Sequence, residues 1–406
     1  MADPITALCQ QVSKEAVSWR RRLHELPELG FQEFKTSEFI ESQLRAFGGI
    51  EVWRPTPTGV VGILQGQRPG KTVAFRADID ALPIREDPAL DPCSHVDGVM
   101  HACGHDGHTA TLLGTAKVLS RLREQLAGKI LFLFQPAEEC PPGGAAAFVK
   151  AGVLNGVDMI FGMHYHVPED PGVFLVKPGP LFASTYSFDI QIIGKGAHAA
   201  FPQSGVDTVL LASNVVVALN GIIPRSIDNA QRCVLTVTGI QSACSYNSIP
   251  DVVHLLGTIR MLDRRCEAEL LTRVREVVQG LCSIYHAQCE IDIRKGYDLV
   301  ESTPRIAEAV RSVLAAHFGS GKVIEPVPLM GGEDFSAYLH EVPGCYFRAG
   351  TRKVKPDGSV APPHSGGYQF NDESLPYAIE AQTRILLEVP AMIECPVTRK
   401  VFYDYG

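Results

Sequence analysis

The chain has 406 residues, 45% of them hydrophobic and 20% charged, with a formal net charge of -8 at pH 7. That length exceeds what one hydrophobic core usually organises, so two domains are expected. The acidic balance lacks the basic stripe that phosphate backbones require, which argues against nucleic acid as a partner. No apolar run reaches the ~20 residues of a membrane helix. The opening Met1-Ala2-Asp3-Pro4-Ile5-Thr6 has no basic segment followed by an apolar one, so neither a membrane nor a secretory route is expected. The eleven cysteines are odd in number and irregularly spaced. They suggest neither a disulfide framework nor a zinc knuckle, and most are expected to be small buried hydrophobes in a reducing cytoplasm.

In chain order, residues 12–27 and 34–46 carry helical apolar spacing, and 60–64 and 72–76 read as short strands. A helix from Gly107 to about Leu122 follows, with Asp106 or Thr109 as its cap. Residues 129–134 form a continuous apolar strand that delivers Gln135 to Glu139 at its carboxyl end, where open α/β sheets build their sites. This alternation predicts a sheet with helices on both faces. From about 184 to 295 the rhythm changes. A strand at 186–193 precedes a helix at 206–219, strands at 233–238 and 252–261, a charged helix at 266–281 and a strand at 288–294. That β-α-β-β-α-β order is a ferredoxin-like arrangement. The fold class expected is therefore α/β in two domains. A catalytic sheet domain comes from 1–183 and 296–406, and a satellite domain at 184–295 is inserted into it.

The densest chemistry lies in His101-Ala102-Cys103-Gly104-His105-Asp106-Gly107-His108. Cys103 and His105, one glycine apart, can lean toward one ion. A thiolate with imidazole and carboxylate suits Zn²⁺ best and admits Mn²⁺, Co²⁺ or Ni²⁺. His101, Asp106 and His108 are then expected to fix tautomers and orient the ligands. Glu138 and Glu139 end the apolar strand, and adjacent residues there point in different directions. One can bind metal while the other faces a water, taking its proton and passing it to a leaving amine. Asp78 and Asp80 also end a strand, as supporting carboxylates. His164 or His166, after the apolar 157–161, is the next ligand, and His364 offers one more. His24, His254, His286, His317 and His340 lack companions and are expected to be structural or exposed. The blander readings, incidental histidines at a helix start and a solvated Glu pair, sit poorly with this density of ligand-type residues.

The motifs RADIDALP (76–83), HACGHDGH (101–108), QPAEE (135–139), FGMH (161–164), GKGAHAAFP (194–202), GTIR (257–260), GGEDF (331–335) and HSGGYQFNDE (364–373) occur in this order. With them the chain resembles the M20 metallopeptidases, and within these the aminoacylase-like N-acyl-amino-acid amidohydrolases, from about His24 to Leu387. That group includes hippurate hydrolases and hydrolases of indole-3-acetyl-amino acid conjugates. The resemblance implies a catalytic α/β domain carrying an inserted dimerisation domain, so a homodimer is expected. It implies two divalent ions per subunit held by Cys103, His105, Glu139, His164 and His364, with Glu138 as the acid/base. Tyr165-His166 departs from the residues usual after His164. By the same resemblance His198, which spacing alone makes a surface histidine, reaches the partner's active site to stabilise an oxyanion. Asn247 matches an Asn before Ile-Pro, although Ser242-Ala243-Cys244 departs from the commoner Gly-Gly. Arg260 is the expected clamp for a substrate carboxylate, since guanidinium binds carboxylates bidentately. Gly332 and Gly350 are expected to line the substrate channel, where glycines permit close backbone approach.

The expected reaction is hydrolysis of an N-acyl amino acid to a carboxylic acid and a free amino acid, by a metal-bridged water that Glu138 activates. Rival readings are a dipeptidase or carboxypeptidase with the same machinery, and a catalytically inactive amino-acid-binding homologue. A zinc deaminase would need a downstream Pro-Cys-x-x-Cys, which this sequence lacks.

Overall fold

In the computed structural model, residues 3–243 and 246–393 are described, and they divide into two compact units. The first takes the chain up to Gly179, Glu301–Val327 and the residues from Asp334 onward. At its centre lies an eight-stranded sheet. The strand order is Ile50–Trp53, Val60–Gln65, Ala127–Gln135, Arg68–Asp78, Met159–His166, Gly344–Gly350, Phe174–Leu175 and Val323–Ile324. The four strands beginning at Ala127, Arg68, Met159 and Gly344 run parallel. A parallel sheet is covered on both faces, which is why Ile130–Phe134 is apolar at every position and buried throughout. Val73, Phe75 and Ala77 face a core shared with helices Pro4–Glu25, Phe34–Phe47, His105–Arg121, Pro304–Phe318 and Leu375–Met392. Helices Gly144–Lys150 and Ser336–Glu341 cover the other face, where Tyr338 reaches Gln135 and Gly162 lies against Phe335 and Tyr346.

Two local expectations need correction. The helix expected at Gly107 begins at His105, and its cap is Gly104 at φ 88, with no side-chain cap from Asp106 or Thr109. A glycine at positive φ turns the chain sharply there at no steric cost, and Asp106 instead accepts a hydrogen bond from Gly107 N at 2.9 Å. The first helix starts at Pro4, where Asp3 accepts from Ile5 N. Its opening turns are apolar, with Ile5, Leu8 and Cys9 packed on the core, so the helix begins eight residues before the expected 12–27. Of the nine described cysteines, all free, Cys9, Cys103, Cys266, Cys282 and Cys345 are buried; Cys244 and Cys395 lie outside the described residues.

The second unit comprises Pro180–Val300 and Pro328–Glu333. Its antiparallel sheet has the order Cys233–Ser242, Val252–Met261, Ser184–Ile193 and Gln288–Lys295. Tyr186, Phe188, Ile190 and Ile192 alternate inward against Leu211, Val215 and Leu219 of Thr208–Ser226 and Leu270, Val274 and Val278 of Glu267–Ile284. Thr208–Ser226 runs past its expected end. It is the one described helix long and apolar enough, by length and composition alone, to cross a membrane. Its inner stripe packs into this core, which buries 33% of its most apolar stretch. Val209, Leu210 and Val217 on the same helix remain exposed.

Candidate metal centre

The four parallel strands end at one edge of the first unit's sheet, so residues far apart in sequence meet there. Ala127–Gln135 leads to Glu138 and Glu139, Arg68–Asp78 to Asp80, and Met159–His166 carries His164. Cys103 and His105 arrive at the start of their helix. His364 comes from a C-terminal loop at φ 60, with its backbone N donating to Ala102 O at 2.9 Å.

Cys103 Sγ lies 3.3 Å from His164 Nε2, and His364 Nε2 lies 3.0 Å from Glu139 Oε1. Donor atoms of Cys103, His105 and His164 fall within 4.8 Å of one another. The same holds for Cys103, Glu139 and His364, and for His105, Glu138 and Glu139. The five expected ligands and Glu138 thus converge, and Cys103 belongs to two of these three groups. His166 does not join them. Its Nε2 sits 3.3 Å from Glu169 Oε2 and 3.4 Å from Arg348 Nη1, and burial together with that guanidinium pulls the ring down to about 4.

The donor set suits a borderline-soft divalent cation, and the surrounding hydrogen bonds aim it. His105 Nδ1 lies 3.0 Å from Asp80 O and 3.1 Å from Asp80 Oδ1. That leaves His105 Nε2 buried and, among the described residues, without a hydrogen-bond partner, as a coordinating nitrogen would be. Asp80 Oδ2 accepts from Glu139 N at 2.9 Å, so one carboxylate sets two of the converging residues. His164 Nδ1 lies 2.6 Å from Tyr165 O, which presents Nε2 toward Cys103. Burial pushes the Cys103 thiol up to about 12, against the pull of His105. A bound cation would reverse that and deprotonate the thiol.

The supporting carboxylates are buried. Asp78 accepts from Arg76 Nη1 at 2.8 Å and pairs with His108 Nδ1, while His108 Nε2 accepts from Tyr165 N at 3.0 Å. His101 is buried with no hydrogen-bond partner on either ring nitrogen among the described residues, so it orients no ligand through one. Two networks were not legible in the sequence. In one, Arg76 reaches Gln135 Oε1 (2.8 Å) and Asp334 Oδ1 (2.7 Å), and Gln135 Nε2 donates to Asp334 Oδ2 (2.7 Å). A buried Arg, Gln and Asp inside three separate motif strings was the available signal. In the other, His24 has companions after all. Its Nδ1 lies 2.8 Å from Asp106 Oδ2 and its Nε2 2.8 Å from Glu86 Oε1, with Arg20 Nη1 3.5 Å from the same Asp106 oxygen.

Burial pulls the His24 ring down, but Asp106 and Glu86 outweigh it and hold it up at about 9. Raised above its unfolded value near 6.5, the charged ring stabilises the fold fully below that pH. The contribution is lost as pH rises through about 9. It is on the order of 3 kcal/mol. Melting temperature is therefore expected to fall between pH 6.5 and 9, and His24→Gln should flatten that slope; an unchanged slope in the variant would place the titration elsewhere.

Four other expected site residues lie in the second unit. His198 is exposed, in a short pairing of Ala197–His198 with Ser248–Ile249, and Ala199 N donates to Asn247 O at 2.9 Å. Arg260 is half-buried, donates from Nε to Thr258 Oγ1 at 3.1 Å, and has no carboxylate in ion-pair range among the described residues. A Cβ on Gly332 would come 2.8 Å from Thr185 Cγ2 and 3.6 Å from Arg260 Nη1. Gly350 belongs to the first unit. A Cβ there would come 2.1 Å from Asp170 O, so the close approach it permits is to the chain's own backbone.

Residues 74–388 match the sequence profile of peptidase family M20/M25/M40. Thermostable carboxypeptidase 2 of Saccharolobus solfataricus is 39% identical over 369 residues, covering 89% of this chain and 93% of that protein. N-acyl-L-amino acid amidohydrolase of Geobacillus stearothermophilus is 43% identical over 295 residues, covering 73% and 80%. Among solved structures, the Bacillus subtilis YXEP protein, described as a dinuclear metal binding peptidase from the M20 family, superposes with a TM-score of 0.83 at 33% identity, covering 95% of this chain and 100% of that one. A profile spanning most of the sequence and relatives this similar place the chain in peptidase family M20/M25/M40.

Proposed function

We propose that this chain is a metal-dependent amidohydrolase that cleaves N-acyl-L-amino acids to a carboxylic acid and a free amino acid. The observation that carries the reading is the convergence of Glu138 with Glu139 and His105, beside the Cys103, His164 and His364 donors. Cys103, His105, Glu139, His164 and His364 would hold two divalent ions of the Zn²⁺, Mn²⁺, Co²⁺ or Ni²⁺ kind. When bound, such ions polarise a carbonyl and bring the pKa of water toward neutrality. Glu138 accepts the proton of the attacking water and returns it to the departing nitrogen. Asp80 holds His105 and Glu139 in place, and Asp78 and Asp106 brace the same loops. His198, from a partner subunit, steadies the oxyanion; Asn247 and Gly332 contribute to substrate binding.

Arg260 clamps the substrate's α-carboxylate, a role supported by its having no carboxylate in ion-pair range among the described residues. Charge-assisted bonds of this type are worth about 1.5–3 kcal/mol. Arg260→Ala is therefore expected to raise KM roughly tenfold to a hundredfold for N-acyl amino acids and leave it nearly unchanged for their α-amides. Equal effects on acid and amide would remove Arg260 from that contact.

The β-α-β-β-α-β order of 184–295 supports an inserted ferredoxin-like domain, and the exposed Val209, Leu210 and Val217 support its use as a homodimer interface. Unpaired cysteines fit a reducing cytoplasm. The carboxypeptidase relative favours a second reading, cleavage of a C-terminal peptide bond by the same residues. A hydrolysis panel separates the two: faster turnover of N-acetyl and N-benzoyl amino acids than of dipeptides supports the amidohydrolase, and the reverse order supports the peptidase.

A further inference from the structure

The segment Pro27-Glu28-Leu29-Gly30-Phe31-Gln32-Glu33, between the first two helices, runs directly beneath the turn that carries Glu138. Ala81 N donates to Glu28 O at 2.9 Å and Leu29 bridges Ala81, which ties the segment to the loop of Asp80. Gly30 approaches so closely that a Cβ there would lie 2.9 Å from Cys140 Sγ and 3.2 Å from Ala137 Cα. Glu33 is fully buried, and its Oε1 accepts from Ala137 N at 2.8 Å. Ala137 has φ 54, a left-handed conformation that a residue with a Cβ adopts only when its surroundings hold it there. The other end of the residue is fixed as well, since Gly144 N donates to Ala137 O at 3.1 Å. The next residue along the chain is Glu138.

We propose that Glu33 is a positioning residue for Glu138: its carboxyl clamps the Ala137 amide and so fixes the left-handed turn that aims the acid/base at the substrate. The proposal rests on the reading of Glu138 given above. A buried carboxyl is a costly means of filling space, and burial, with the Asp80 charge, pushes this one up to about 7. A leucine would fill the volume without that cost but would leave the Ala137 N–H without an acceptor. A carboxyl supplies the acceptor for that amide, which an apolar side chain cannot.

The test compares metal-loaded Glu33→Leu, Glu33→Gln and Glu138→Gln with the unmodified enzyme on N-acetyl amino acids, reading kcat, KM and bound metal. A displaced acid/base of this kind costs up to about a hundredfold. Glu33→Leu should lower kcat about tenfold to a hundredfold with KM and metal content unchanged. Glu33→Gln keeps the acceptor oxygen and should restore kcat to within about threefold. If Glu33→Leu does not fold, Glu33→Asp, which withdraws the carboxyl by one methylene, takes its place with the same expected loss. Glu138→Gln inactive while Glu33→Leu or Glu33→Asp keeps full kcat overturns this inference alone, as does a loss that appears only in KM or metal content. An active Glu138→Gln overturns it together with the reading of Glu138.

Discussion

Replacing Glu138 by Gln is expected to abolish turnover of N-acyl amino acids while the protein keeps its full complement of bound metal. The amide has nearly the volume of the carboxylate, so packing in this buried position is preserved. What it loses is the capacity to accept a proton from water and deliver it to nitrogen, a contribution worth about 10²–10⁴ in rate. Because the same group would act in both halves of the reaction, the upper end of that range is expected. Metal analysis beside steady-state kinetics makes the outcome specific. Activity that disappears with the metal would mark Glu138 as a ligand. Activity that survives with the metal would move the acid/base elsewhere.

Cys103→Ala and His364→Ala should differ in a way the geometry dictates. Cys103 belongs to two of the donor groups, one with His105 and His164 and one with Glu139 and His364, whereas His364 belongs to one. If each of these two groups held one ion, losing the thiol would weaken both sites and losing His364 one. Elemental analysis after dialysis should find Cys103→Ala nearly stripped of metal and His364→Ala retaining roughly half of the normal content. Even a single lost ligand strongly lowers affinity, because ligation supplies most of the binding free energy. Equal metal loss in the two variants would mean that Cys103 serves one ion only.

The sequence made the site's main parts readable because metal chemistry needs rare residue types at short spacings. Cys103-Gly104-His105 and Glu138-Glu139 stand out against any helix or strand background, and the apolar run before Gln135 announces a strand end. The choice between His164 and His166 was different. Both lie on one face of a strand, and only the positions of Glu169 and Arg348 show which imidazole is engaged elsewhere. The His24 network was illegible because its partners are 62 and 82 residues away. A histidine on an amphipathic helix looks alike whether it faces solvent or a buried carboxylate. Glu33 was hidden for the same reason: a polar residue just before a helix reads as an ordinary cap. Gly104 was missed because side-chain caps are the usual signal, and here a backbone turn does the work. Gly350 carries a different ambiguity: a Cβ there would meet Asp170 O, and a glycine wanted by neighbouring backbone looks identical in a string of letters to one wanted by a ligand.

His364 hangs from Ala102 by its backbone and meets Glu139 through its ring, although the entire second unit departs and returns between those positions in the chain. An ion gripped there would behave as a removable crosslink between the early and late parts of the polypeptide. It would tether chain segments lying before and after the insertion much as a cystine would, yet reversibly. Occupancy then governs more than chemistry: scarcity of the cation would loosen the architecture itself, leaving starved enzyme both idle and vulnerable to proteases.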